Sequence, residues 1–491
     1  MFFGTSEGTV GLIASNTNTL PVITNNSSFN YNELVNNLDT AIDPFFTQDE
    51  INELARISNF TQRESKLKGS TFLDLIVFNS GNLKDQSLND LAGILKTDYS
   101  IDYSKQSLHE RFNENALGFL KIALEELMHK QLFSQKISLP CCKGFNRILI
   151  KDSTSFQIDK SLSKYYPGSG GSGSPASVRI QFEYDVLSGN INDLSVTAFN
   201  DQDAKDSIAT IELTEKGDLI IRDLAYMTFE VLKFIEENGR FFLCRANTNA
   251  YLYEIINGKY LKIDFGKITK YMRNHKIQCV EKEVYYGSVK LKVRLILHLL
   301  PQNEINKRIR NAIKSNIAKG GDGNLSKEHK SKISLNLFIT NVDEKLIPLK
   351  NVWHLYRLRW QIELVFKIWK SVCDIEKVKK VKQHRLECYI YAKLIIIVLG
   401  WKVLWKIAIT LFYRERKALS LIKASKTLFG RQINKLQEIF FKRTTNSVKN
   451  FINDFYDLSR THHILEKRRE EPTSMELLLI SLTCSKKGKI A

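Results

Sequence analysis

A chain of 491 residues, 43% hydrophobic and 25% charged, is long enough for about two to four domains with a sizeable core, and its balance excludes a disordered or fibrous protein. Residues 1–55 hold seven acids and no Lys or Arg, so the net charge of +19 rests on the remainder and favours a polyanionic partner, either nucleic acid or an anionic membrane. Membrane is the weaker choice: the most apolar stretch, Leu386 to Tyr413, carries Lys393, Lys402 and Lys406, whose ammonium groups are costly in hydrocarbon.

No charged segment followed by an apolar run opens the chain, so secretion is not indicated and a cytoplasmic protein is expected. The seven Cys, at 141, 142, 244, 279, 373, 388 and 484, show no paired C-x2-C spacing and read as reduced thiols, neither zinc site nor disulfide framework. Residues 1–45, rich in Asn, Thr and Ser without periodicity, read as a flexible leader. From 46 to 140 the pattern is helical. Leu88 to Thr97, a polar break, and Ser104 to Phe112 predict two helices and a turn, the second capped by Ser104. That helix presents Lys105, Gln106, His109 and Arg111, which suits a major groove; a plain helical hairpin fits the same spacing.

Arg147 to Lys151 begins a strand that delivers Asp152 at its end, as open α/β sheets deliver catalytic groups, although a lone acid there is more often a turn residue. Tyr166 to Ser174 is glycine-rich but lacks the ending of a nucleotide P-loop, and reads as a mobile loop beside the site. Val178–Val186 and Asn192–Phe199 predict a hairpin around Ser188-Gly189-Asn190. Gly217 to Asp223 repeats the device of an apolar strand ending in an acid. A helix from Tyr226 to Asn238 and a strand from Arg240 to Arg245 follow.

Strand patterns recur at Tyr251–Ile263, Val289–Leu295, where apolar and basic residues alternate, and Leu335–Thr340; Lys307 to Lys332 is a basic, Gly-containing segment suited to DNA backbone contact. Trp353 to Lys370, without Pro or Gly, predicts a helix. At about 100° per residue, Tyr356, Arg359, Glu363 and Lys370 share an arc of roughly 60° at the edge of an apolar stripe. A carboxylate there suits a hard cation, and the guanidinium and ammonium suit phosphate oxygens. An Arg–Glu pair alone is usually a solvated surface contact. The closing stretch Leu386 to Tyr413 predicts a core helix, and residues 414–491 are helical and basic.

The spacing Y-x2-R-x3-E-x6-K resembles the signature of bacterial insertion-sequence transposases of the DDE type, in the cut-and-paste branch carrying those four letters. Asp152-Ser-Thr and Asp223-x2-Tyr226 resemble the first and second acidic motifs of the same family, in the expected order. The resemblance spans roughly 140 to 410 and implies an α/β fold: an RNase H-like catalytic domain (141–245 and 346–413) interrupted by a β-rich insertion (246–345). A helical DNA-binding domain (46–140) precedes it and a helical basic region (414–491) follows. It implies a two-metal phosphoryl transferase in which Asp152, Asp223 and Glu363 hold two Mg2+ ions, or Mn2+ in their place, while Tyr356, Arg359 and Lys370 bind DNA phosphate. The implied partners are double-stranded terminal inverted repeats and target DNA, engaged as a homodimer at the nucleoid, through nicking, hairpin formation and strand transfer. Relatives can carry a base-stacking Trp on the last inserted strand, where this chain has Leu335 to Phe338. A structure-specific Mg2+ nuclease and a non-catalytic DNA-end-binding protein are the alternatives.

Overall fold

The computed structural model describes residues 46–130, 144–170, 173–246, 251–442 and 445–466; the leader 1–45 and the segment 467–491 lie outside these. Segments rich in Val, Ile, Thr and aromatic residues, suited to a pleated surface, form ten strands among them. These are β1 (Ile148–Gln157), β2 (Ser177–Asp185), β3 (Ile191–Ala198), β4 (Leu219–Arg222), β5 (Phe241–Arg245), β6 (Leu252–Ile256), β7 (Lys259–Lys262), β8 (Cys279–Tyr286), β9 (Leu291–Leu299) and β10 (Leu335–Thr340). All belong to one sheet of order β3-β2-β1-β4-β5-β10-β9-β8-β6-β7. The β1–β4 and β4–β5 pairs are parallel, and the remaining pairs are antiparallel. The strands read from sequence as an insertion, β6 to β10, thus extend the same sheet through the β10–β5 pairing.

Because successive strand residues point to opposite faces, the sheet separates two apolar cores. Ile148, Ile150, Leu219, Ile221, Leu243 and Phe338 face one; Ile220, Phe242, Cys244, Leu337 and Ile339 face the other. The first core takes in the N-terminal helices α1 (Gln48–Ile57), α2 (Gly69–Phe78), α3 (Leu88–Tyr99), α4 (Lys105–Arg111) and α5 (Glu114–His129). The Ser104 hydroxyl caps α4 as predicted, accepting from Ser107 N at 3.0 Å. One outward residue of α4 is corrected: the Arg111 guanidinium lies 3.8 Å over the Phe60 ring, held by cation–π attraction against the core.

On the opposite face lie α6 (Asp203–Thr210), α7 (Phe229–Glu237) and α8 (Phe265–Asn274), of which α7 and α8 bury Val231, Leu232, Ile235 and Met272 in the second core. The basic segment 307–332 folds largely as α9 (Gln302–Ala318) and α10 (Lys327–Ile333). Then come α11 (Leu349–Tyr356), α12 (Trp360–Ser371), the long α13 (Gln383–Glu415), α14 (Leu421–Arg431), α15 (Ile433–Lys442) and α16 (Thr445–His462).

Helix α13 is long and apolar enough to cross a membrane, yet its most apolar window is wholly buried inside the protein. It is the central helix of the first core. Trp401 donates from Nε1 to the Gly189 carbonyl at 2.8 Å, docking the β2–β3 turn. At Gly189, φ is +74° and an added Cβ would meet Trp405 at 2.2 Å, so only glycine fits the approach.

The lysines that argued against membrane insertion are buried in that core. Lys393 donates to the carbonyls of Asp374 and Lys377 at 2.6 and 2.7 Å, and Lys402 to that of Lys130. Burial pushes both ammonium groups down to about 8 from the usual 10.5. Below about 8 the folded chain bears the full cost of the buried charges. Above it, the folded chain sheds protons that the unfolded chain keeps, so these groups contribute increasing stability as pH rises towards the usual lysine value. Urea-unfolding midpoints should therefore gain less between about pH 7.5 and 9.5 in Lys402→Met than in the wild type; equal gains would refute the buried-charge account.

Candidate active site

Parallel pairing of β1 with β4 sets Lys151 opposite Arg222, so the next residues, Asp152 and Asp223, emerge level on one face. Extending the β4–β5 register from Ile220 opposite Phe242 brings Arg245 level with Asp223, and Arg245 in turn pairs with Phe338. A row of Asp152, Asp223, Arg245 and Phe338 therefore crosses four adjacent strands. Lys151 and Arg222 point the other way. There Lys151 is ion-paired with Asp193 and Asp206 at 2.7 and 2.6 Å, and Arg222 with Glu183 at 2.7 Å. These buried pairs fix the strand ends from beneath.

The segment read as one helix from Trp353 to Lys370 is instead α11, a 3-10 turn over Arg357–Arg359, and α12. The backbone stays right-handed throughout, but the tighter turn shifts the phase of Tyr356 relative to the later residues. Tyr356, expected at the edge of the apolar stripe, is buried, its ring 4.9 Å from that of Phe338. Arg359 and Glu363 keep their i,i+4 relation, with Nη2 donating to Oε1 at 2.8 Å. The other arm of Arg359 donates to Asp152 Oδ2 at 2.9 Å. Lys370 donates to the Ser155 carbonyl at 3.0 Å, three residues beyond Asp152 on β1. Phe338, at the position considered for a base-stacking ring, is fully buried between Trp353 and Tyr356.

Burial pushes the Asp152 carboxyl above its usual range, and the charges of Asp223 and Glu363 add to this; the Ser153 amide and Arg359 pull against it. At Arg359, burial opposes the charge, but Tyr356, Asp152, Asp223 and Glu363 together outweigh it. Three carboxylates facing one guanidinium leave a negative excess that a divalent cation would offset, and carboxylate oxygens are donors that a hard cation takes. The donor set fits such an ion. Among the described residues, no three acidic, His or Cys side chains already close on a common ion position. Arg359 bridges two of the acids instead. Among the described residues, neither Arg359 Nε nor the Tyr356 hydroxyl, both buried, has a hydrogen-bond partner, leaving two donors for a ligand.

Sequence reasoning missed Asp203, at the start of α6. Its Oδ1 accepts from Arg179 Nη1 at 2.7 Å, Gln181 Nε2 at 3.0 Å, Ser153 Oγ at 3.1 Å and Tyr226 Oη at 3.1 Å. It ties the residue after Asp152 to the tyrosine of the second acidic motif. Only the β1–β2 register and the docking of α6 bring these groups together, and neither is visible in local sequence.

Residues 143–399, just over half of the chain, match the family described as "Transposase DDE domain". The chain belongs to the DDE transposases, enzymes that act on DNA. Within them it is an insertion-sequence transposase. It is 30% identical to the transposase for insertion sequence element IS231F of Bacillus thuringiensis subsp. israelensis, over 91% of this chain and 96% of that protein. It is 31% identical to the transposase for IS1151 of Clostridium perfringens, over 84% and 89%. The IS231B transposase of Bacillus thuringiensis subsp. berliner is 29% identical, over 88% and 92%.

Proposed function

We propose that this transposase binds the terminal inverted repeats of its element and moves it by Mg2+-dependent cut-and-paste: nicking the end, closing a hairpin, reopening it and joining the end to target DNA. The observation that carries this reading is the bridge from Asp152 through Arg359 to Glu363, with Asp223 level with Asp152 on the neighbouring strand end. The Y-R-E-K spacing supports the hairpin-forming branch. The strand order β3-β2-β1-β4-β5 with α11 to α13 behind it supports an RNase H-like catalytic domain of 141–245 and 346–413. The β-rich insertion is then 246–345; a leader (1–45) and a helical DNA-binding domain (46–140) precede the catalytic domain, and a helical basic region (414–491) follows it.

Asp152, Asp223 and Glu363 would hold two Mg2+ ions, or Mn2+ in their place, which supply activation of water or a DNA 3′-OH and stabilisation of the leaving oxygen. Arg359, once its carboxylate partners are engaged elsewhere, presents a planar fork to phosphate oxygens. Lys370 adds a point charge from α12, the helix that follows the turn holding Arg359, and the Tyr356 hydroxyl donates without adding charge. Two copies acting on paired ends make the working unit a homodimer on double-stranded DNA, at the nucleoid.

The test is a reaction of the full chain with one labelled end and Mg2+, run on a denaturing gel. A covalently closed hairpin is expected. Open hydrolysis products alone would favour a structure-specific nuclease, and binding without any product would favour a DNA-end-binding protein.

A further inference from the structure

Beside the three acids, on the same face of the sheet, two guanidinium groups converge on one neutral oxygen. Arg245 Nη2 donates to Asn336 Oδ1 at 3.1 Å, and Arg308 Nη2 donates to the same atom at 2.7 Å. Arg245 ends β5, Asn336 lies on β10, and Arg308 comes from α9, which reaches over the sheet at this point. Like charges rarely share one amide acceptor without a carboxylate between them, because each loses hydration and repels the other. Among the described residues neither arginine has an ion pair. Burial and the nearby Arg245 charge both push the Arg308 guanidinium down, while Glu304, one turn away on α9, offsets this only in part. Among the described residues the pair is a concentration of donors served by two neutral oxygens, Asn336 Oδ1 and the Leu335 carbonyl, and by no carboxylate.

Its position says what it awaits. Arg245 is level with Asp223, one strand away, and β10 is the next strand, so the pair lies about 5–10 Å across the sheet from that carboxylate. The Tyr356 hydroxyl, without a hydrogen-bond partner among the described residues, is buried on the same face, and its environment includes both Asp223 and Arg245. Acids, phenol and guanidinium pair thus follow one another across the sheet.

We infer that Arg245 and Arg308, steered by Asn336, form a phosphate subsite that holds a DNA phosphodiester next to the one placed at Asp152, Asp223 and Glu363. This rests on the transposase reading proposed above. Arg308 also donates to the Leu335 carbonyl at 3.3 Å, so a merely structural account, with Arg308 tying α9 to β10, is the competing explanation.

The two accounts part on salt dependence. End DNA is titrated against the full chain in chelator at several salt concentrations, with wild type, Arg308→Gln, Arg308→Lys, Arg245→Gln and, as a control, Lys233→Gln on α7 across the sheet. Each Gln substitution at an arginine is expected to lower the log–log salt slope by about 0.9, one phosphate contact. Affinity should fall about tenfold at low salt, Lys at 308 should restore the slope, and Lys233→Gln should leave it unchanged. Unchanged slopes for both Arg→Gln variants, or an equal drop for Lys233→Gln, overturn the subsite. If Arg308→Gln fails to fold, the slope of Arg245→Gln alone decides between the two accounts. Scrambled DNA keeps end recognition separate: equal affinity for scrambled and end sequences would refute recognition of the repeats, while the slope change on either DNA still reports the subsite.

Discussion

In single-turnover cleavage of labelled end DNA, Asp152→Asn, Asp223→Asn and Glu363→Gln are each expected to lower the rate at least about a thousandfold. Each substitution keeps the shape of the side chain but exchanges one acceptor oxygen for an NH2 donor and removes the negative charge that holds a divalent cation. DNA binding should survive. Asn at 152 can still accept through its one oxygen from Arg359 or from the Ser153 amide, and Gln at 363 can still accept from Arg359 one turn away, so most of the local scaffold stays in place. Gel-shift titration run beside the cleavage assay separates the effects. A variant that loses binding in proportion to cleavage would make that carboxylate a structural group instead.

The second large effect concerns stability. Arg222 and Glu183 are fully buried; Glu183 Oε1 accepts from Arg222 Nε and Nη2 at 2.9 and 2.7 Å, and its other oxygen accepts from Asn192 at 2.7 Å. The third arm of Arg222 donates to Ser207 on α6 at 2.7 Å. Burial alone would raise the Glu183 carboxyl, yet the charges of Arg222 and Lys151 hold it below the usual range. Removing one partner leaves an uncompensated buried charge, so Arg222→Met or Glu183→Ala should each destabilise by about 3–5 kcal/mol. The combined Arg222→Met, Glu183→Leu variant should recover much of the loss, as urea-unfolding midpoints would show. Because the Glu183 carboxyl is lowered on folding, its contribution is present above the ordinary carboxylate range and is lost as pH falls through the folded value. Additive losses in the double variant would mean that the two groups do not act as a pair.

Local pattern made part of this legible. Apolar runs ending in an acid gave β4 with Asp223 just past its end, whereas Asp152, expected at the end of its strand, lies in the middle of β1, which runs on to Gln157 through its pairing with β2. Helical periodicity gave the Arg359–Glu363 relation that the 2.8 Å contact shows. What failed was nonlocal. The 3-10 turn at Arg357–Arg359 has no composition of its own, since its residues are ordinary helix formers; packing of Tyr356 on Phe338 accompanies it. The inward turn of Arg111 follows from the ring of Phe60, about fifty residues earlier. The pairing of β10 with β5, which joins the inserted strands to the main sheet, spans about a hundred residues of chain and leaves no mark in either segment. Asp203 went unread for the same reason.

The far end of that sheet has a consequence for solubility. β7 lies beyond β6 at the margin of the order, and every residue from Lys259 to Lys262 is exposed. An open margin of unpaired backbone amides and carbonyls invites another chain to add a strand, and ten strands already in register would be a strong template for it. If a second copy approached antiparallel through its own β7, centred on Tyr260 and Leu261, Lys259 would fall opposite Lys262 at both ends. Like charges directly opposed across a strand pair are unfavourable. The two lysines therefore oppose edge-to-edge pairing of two copies through β7.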